Sequence, residues 1–264
     1  MNLISKIIYV FSTFIKYQLL KSWWNRKINF CPLCAHREKE LFFSKISFGK
    51  RIDLYQCNSC SFVYQSPILN DKGLKNYYSN MFRSNKNVLH HNKMFIRGEN
   101  RGKKIHDLIS RYFNLQGSCV IEIGCGYGGI LQTFKNKGAN VYGCDLDPIG
   151  IDFGKKNGLN LKLGDYKSLS KLEGKCDVII LSHVLEHIYE LKDFVNGVSK
   201  FLKKNGLLYV ALPGVESETA REEKYTIQPG HIYYFSEKTL SDLLVSNFRI
   251  LYSNRKIEAI FQKK

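Results

Sequence analysis

Two groups of residues in this 264-residue chain have the types and spacing to do chemistry. The first is Glu122-x-Gly124-x-Gly126-x-Gly128-Gly129, at the end of the apolar run Cys119–Ile123. A chain that leaves a strand and enters a helix within a few residues needs backbone angles that a Cβ would hinder. The missing side chains also let a ligand approach the peptide groups and the helix N-terminus. Such a turn suits a nucleotide-type ligand and, taken alone, leaves NAD and FAD folds open. The spacing here is G-x-G-x-G-G with an acid two residues before the first glycine, where a dinucleotide site usually has a small apolar residue. No Gly-Lys-Ser/Thr follows, which excludes a nucleoside triphosphate P-loop. The second group is Cys31-x-x-Cys34 and Cys57-x-x-Cys60, with 22 residues between the pairs. Two such hooks supply four thiolates for a closed tetrahedral zinc site, which predicts a structural rather than a catalytic ion. The other four cysteines, Cys119, Cys125, Cys144 and Cys176, are scattered, a pattern that suits a reducing compartment better than a disulfide framework.

Further carboxylates follow the glycine turn in order. Val141–Asp145 reads as a strand ending in an acid about 20 residues downstream, the distance at which such folds bind ribose hydroxyls. Leu163-Gly164-Asp165-Tyr166 and Asp177–Glu186 come next. In this order, over residues 119–250, the segments resemble class I SAM-dependent methyltransferases. The resemblance implies that Glu122, Gly124, Gly126, Gly128, Asp145 and Leu146 hold S-adenosylmethionine (SAM) and that Asp165 holds its adenine amino group. It also implies that Tyr166 covers the ring and that Ser182 and His183 flank the donor. His183–His187 also matches the H-x-x-E-H zinc-peptidase pattern. Its place at the end of an apolar strand argues against a protease, which needs both histidines on one helix face.

The run CPLC … YQCNSCSFVYQSP with a following Tyr-Tyr pair resembles the N-terminal zinc ribbon of bacterial enzymes that methylate sugars, sugar nucleotides and related surface-glycan groups. That resemblance implies a role in polysaccharide biosynthesis and a small-molecule or glycan acceptor. The sugar C-methyltransferases of that group carry a long further C-terminal domain. This chain stops at Lys264, which favours O-methylation. A hydroxyl acceptor benefits from a general base, and histidine titrates in the useful range. The first candidate is His231, in a loop of the kind that faces the acceptor in the family, and the second is His187.

The elements that must position these residues follow from patterning. Strand-length apolar runs alternate with helix-length segments from residue 119 onward. This predicts an α/β, Rossmann-like, mostly parallel sheet with helices on both faces and ligands beyond the strands' carboxyl ends. The expected organisation is a basic amphipathic helix over 1–27, the ribbon over 28–66, a helical linker or cap over 67–118 and the methyltransferase domain over 119–264. Residues 1–27 have five basic residues, no acid and the Trp23-Trp24 pair. Their longest uncharged run is too short to span a bilayer, so they suit a membrane interface, the body of the protein or a second subunit. No cleavable secretory signal is evident. The expected location is cytoplasmic, with peripheral contact at the inner membrane face through this helix.

The net charge of +17 is uneven, with a surplus of 14 basic residues over 1–118 and of 3 over 119–264. That bias admits an RNA methyltransferase as the main alternative. Against it, the fourth strand lacks the Asn/Asp-Pro-Pro-Tyr/Phe of amino-group methylases, and the ribbon lacks interleaved aromatic and Arg residues. A non-catalytic SAM-fold scaffold is the third reading, and the intact Glu122, Asp145 and Asp165 speak against it.

Overall fold

The computed structural model describes residues 22–47, 50–77, 88–215, 227–254 and 257–264. Most of the expected amphipathic helix over 1–27 therefore lies outside the described residues. In chain order the elements are β1 (Lys39–Ser47), β2 (Lys50–Cys57), β3 (Val63–Gln65), α1 (Asp71–Asn76), α2 (Val88–Ile109), β4 (Cys119–Ile123) and α3 (Gly129–Asn136). Then come β5 (Asn140–Asp145), α4 (Pro148–Lys156), β6 (Asn160–Leu163), β7 (Cys176–Ser182), α5 (Leu191–Ser199) and β8 (Leu202–Ala211). The chain closes with β9 (Tyr233–Tyr234), α6 (Glu237–Leu244), β10 (Phe248–Ser253) and β11 (Glu258–Lys263). Among the described residues no helix is long and apolar enough to cross a membrane.

The chain divides into two units. The first draws on Met1–Ser84 and Glu218–Tyr234 and holds an antiparallel sheet in the order β1-β2-β3-β9. Along β2, Ile52 and Leu54 are buried while their neighbours are less so, the period of two of a half-buried strand. Tyr233 and Tyr234 pair with Tyr64 and Val63, and the Tyr233 ring packs 5.5 Å from Phe62. This differs from the expected organisation in one segment. The segment ending at Tyr234 belongs with the ribbon, not with the domain over 119–264, because the aromatic strand β3 needs a partner on its open edge.

The second unit, Asn85–Ser217 with Phe235–Lys264, holds a seven-stranded sheet ordered β10-β11-β8-β7-β4-β5-β6. Strands β6, β5, β4, β7 and β8 run parallel, and β11 and β10 add an antiparallel edge. Val178–Leu181 of β7 are all buried, as a central strand covered on both faces must be. The α/β class and the Rossmann-like sheet agree with the sequence reading. The strand order switches direction between β4 and β7, where open sheets of this kind bind ligands.

The expected helical linker over 67–118 is also corrected. Helix α2 is part of the second unit, with Ile105, Leu108 and Ile109 buried in its core. It approaches α3 through small residues: a Cβ on Gly98 would stand 2.8 Å from the Gly129 Cα, and one on Gly102 2.7 Å from Thr133 Oγ1. A Cβ on Gly129 would stand 2.1 Å from the Phe95 carbonyl. Gly129→Ala is therefore expected to force the helices apart and to cost about 1–3 kcal/mol, the range for overpacking. Urea unfolding followed by circular dichroism measures this, and an unchanged midpoint would contradict it.

Candidate functional site

The glycine turn sits at the carboxyl end of β4 in left-handed backbone: φ is 74° at Gly124, 52° at Gly126 and 81° at Gly128. A Cβ on Gly126 would meet no protein atom within 4 Å, so the loop presents bare peptide to open space. Asp145, at the end of β5, holds the loop in place. One carboxylate oxygen accepts from the Gly126 amide at 2.8 Å and the other from the Asp147 amide at 2.8 Å. Asp147 in turn caps α4 through the Ile149 amide, with Pro148 at the first helical position.

A cavity of about 220 Å³ opens over this turn, and Arg97, Arg101, Glu122, Gly126 and Ser182 are among its lining residues. Glu122 is buried, and its Oε2 has no hydrogen-bond partner within the described residues. Burial holds its carboxyl well above the usual carboxylate range, and the nearby Asp145 charge adds to this while Arg101 opposes it. An orphaned buried acid beside two arginines fits a ligand that carries both an ammonium and a carboxylate, as the amino-acid end of SAM does. Arg101 Nη1 also donates to Ser182 Oγ at 3.2 Å. Arg97 and Arg101 were missed in the sequence. Their spacing of four on one helix face was the available signal, and it reads as ordinary surface charge.

Between the ordinary carboxylate range and the raised value of Glu122, the folded chain keeps a proton that the unfolded chain has lost. Stability contributed by this group therefore falls as pH rises through that window. Glu122→Gln is expected to flatten this slope, so that its melting temperature gains on the wild type as pH increases, while SAM affinity drops. Parallel melting-temperature curves against pH would refute the assignment.

The other expected donor residues are placed as follows. Leu146 is 74% exposed next to Asp145, an apolar side chain left for a ligand to cover. Asp165 is exposed and caps the turn that follows β6 through the Lys167 amide at 3.0 Å. Tyr166 departs from the expectation of a ring cover. Its ring packs edge-on against Phe194 at 5.3 Å and Phe201 at 6.1 Å, and a Cβ on Gly197 would meet its hydroxyl at 2.3 Å. The Asp165 cap turns the next side chain into the helical layer, where apolar burial holds it.

Beyond β7, His183 has φ 58°, an uncommon backbone for a residue with a Cβ. Its side chain is 42% exposed, and its Nδ1 lies 3.2 Å from Glu186 Oε1, whose side chain is only 2% exposed. His187 Nε2 lies 3.9 Å from the same oxygen. His231, the first candidate base in the sequence, belongs to the other unit and is buried. Its Nε2 accepts from Gln228 Nε2 at 2.6 Å, and Gln228 Oε1 accepts from the Tyr77 hydroxyl at 3.0 Å. The lone pair a base would use is thus engaged by an amide.

The four hook cysteines converge within the first unit. Their sulfurs lie within 4.8 Å of one another, with Cys31–Cys60 and Cys34–Cys57 at 3.5 Å. Tetrahedral Zn–S bonds of about 2.3 Å put sulfurs about 3.8 Å apart, which this donor set fits. The two hooks also fold alike. Ala35 N donates to Cys31 O at 2.8 Å and Ser61 N to Cys57 O at 3.0 Å, and Ala35 and Ser61 share left-handed φ of 63° and 62°. Cys60 is pushed up to about 11 by burial. Cys34 is lowered to about 7: burial pushes it up, but the His36 amide and the other thiols outweigh this.

A family model described as a methyltransferase domain matches residues 97–248, more than half of the chain, and the chain belongs to that family. It carries a class I SAM-dependent methyltransferase domain. The ubiquinone biosynthesis O-methyltransferase of Pelagibacter ubique is 35% identical over 97 residues, which cover 35% of this chain and 40% of that protein. The enzyme of the same name from Bartonella tribocorum is 33% identical over 98 residues, with 35% and 40% covered. The match thus spans about two-fifths of the length of these curated relatives. A solved SAM-dependent methyltransferase from Archaeoglobus fulgidus shares the fold with a TM-score of 0.53 at 21% identity, covering 63% of this chain and 94% of that one.

Proposed function

We propose that this protein transfers the methyl group of SAM to a hydroxyl oxygen, and that His183 is the base that accepts the hydroxyl proton. The observation that carries this is the His183–Glu186 pair at the end of β7. In this reading Glu186 Oε1 accepts from Nδ1–H, which leaves the Nε2 lone pair of the half-exposed ring for the acceptor. When bound, SAM supplies a methyl group already activated by its sulfonium. The protein's tasks are then alignment and proton removal. Glu122, the glycine turn, Asp145, Leu146 and Asp165 would hold the donor, with Arg97 and Arg101 available to its carboxylate.

The acceptor in this reading is a sugar, sugar nucleotide or related surface-glycan hydroxyl, supported by the likeness of the cysteine hooks and their flanks to sugar-methylating enzymes. A phenolic acceptor is the second reading, favoured by the names of the curated relatives. The hooks are proposed to hold one structural zinc, in a chain that works in the cytoplasm. Incubation with SAM labelled on its methyl group decides among the acceptors. Label in sugar-nucleotide or glycan fractions supports the first reading, and label in a phenolic quinone precursor supports the second. Label in RNA alone overturns both. Absence of SAM binding by calorimetry would refute the enzyme reading altogether.

A further inference from the structure

Cys119 opens β4 and Cys176 opens β7, two neighbouring parallel strands. Both cysteines lie at the strands' amino ends, the edge of the sheet away from the glycine turn. Their sulfurs are 3.5 Å apart. Val120 pairs with Val178, so the two cysteines stand one residue out of step along the strands and it is their side chains that bring the sulfurs together. The two thiols are unequal. Cys176 is fully buried, whereas Cys119 is partly exposed. The Cys119 amide donates to Asp177 Oδ2 at 2.8 Å, and the other oxygen of Asp177 pairs with Lys203 at 2.7 Å, which brings an ammonium to this edge. The Cys119 thiol donates to the Cys176 sulfur, whose own S–H donates to the Leu172 carbonyl at 3.5 Å. The thiol that solvent can reach is the one a peroxide meets first, and a second thiol waits behind it.

We propose that Cys119 and Cys176 form an oxidation site that takes up one equivalent of a hydroperoxide and stores it as a disulfide between β4 and β7. The Cys119 thiolate attacks one peroxide oxygen. An S–O bond forms and the O–O bond breaks, which gives a sulfenic acid and, after proton uptake, an alcohol or water. Cys176 sulfur then attacks the Cys119 sulfur. The S–S bond forms, the S–O bond breaks, and the hydroxide leaves as water with the Cys176 proton. Two thiols are oxidised and one hydroperoxide is reduced. In a reducing compartment such a bond is transient and thiol-reversible. It would tie together the two strands whose far ends carry Glu122 and Ser182.

The test uses the full chain with its hook thiols intact, treated with tert-butyl hydroperoxide, alkylated and mapped by mass spectrometry. The expected result is loss of the reduced Cys119 and Cys176 peptides, recovery of one cross-linked peptide, and reversal by dithiothreitol. In Cys176→Ser, a sulfenic-acid trap is expected to label Cys119, because the resolving thiol is missing. Wild-type protein in which both thiols survive, or in which Cys119 passes to sulfinic acid without a cross-link, would overturn the proposal. The wild-type map decides even if the serine variant fails to fold. The readout is independent of any methyl acceptor.

Discussion

His183→Gln is expected to cut methyl transfer by about 10²–10⁴-fold while changing SAM affinity by no more than about threefold, the usual size of a lost general base. Glutamine keeps a hydrogen-bonding group of similar bulk beside Glu186 but has no lone pair that can take up a proton at neutral pH. The loss should therefore fall on kcat rather than on the donor's dissociation constant. Glu186→Gln is expected to give a milder defect, because it disturbs the group that orients the ring yet leaves the base itself in place. Acceptor chemistry sets the size of the effect. A sugar hydroxyl needs its proton removed during attack, whereas a phenol ionises more readily. A loss at the upper end thus fits a glycan acceptor, and a loss below tenfold fits a phenol. Wild-type rates in His183→Gln with every acceptor that takes label would remove His183 from the chemistry.

Legibility in the sequence tracked how local each determinant is. The turn after β4 could be read because strand, acid and glycines all lie within ten residues and obey one backbone rule. Asp145 could be read from its distance to that turn, and the structure shows that it also ties the loop down through the Gly126 amide. Helix α2 was legible as a helix but not as a wall of the cavity, because Gly98 and Gly102 announce close approach only once Gly129 is known to face them. His231 was placed by likeness to a loop, whereas the β3–β9 pairing that takes its segment into the first unit joins residues far apart in sequence. His183 could not be singled out over His187 in the sequence. What separates them is a backbone angle of 58° and the direction of one buried carboxylate.

The second large effect concerns the hooks. Purified protein is expected to carry one zinc per chain, and Cys57→Ser to lose both the zinc and the fold of the first unit. Cys57 is buried, ends β2 and stands 3.5 Å from Cys34, so the substitution removes one of the four donors and leaves three, too few to close a structural tetrahedral site. Structural zinc contributes roughly 10–16 kcal/mol of apparent binding energy in small finger peptides. That is comparable with the whole net stability of a small domain, which is what remains after the burial of Ile52, Leu54, Phe62 and Tyr64 is offset by chain entropy. The expected damage is confined by the chain's own division into two units. Hydrogen exchange should show lost protection in β1, β2, β3 and β9, while β4, β5 and β7 stay protected. Binding must also release protons, since Cys60 sits at about 11 and a ligating sulfur is a thiolate. Zinc occupancy is accordingly expected to fall as pH is lowered, and a chelator should reproduce the exchange pattern of Cys57→Ser. Metal-free protein with four reduced hook thiols and an unchanged exchange map would show that packing alone holds the ribbon.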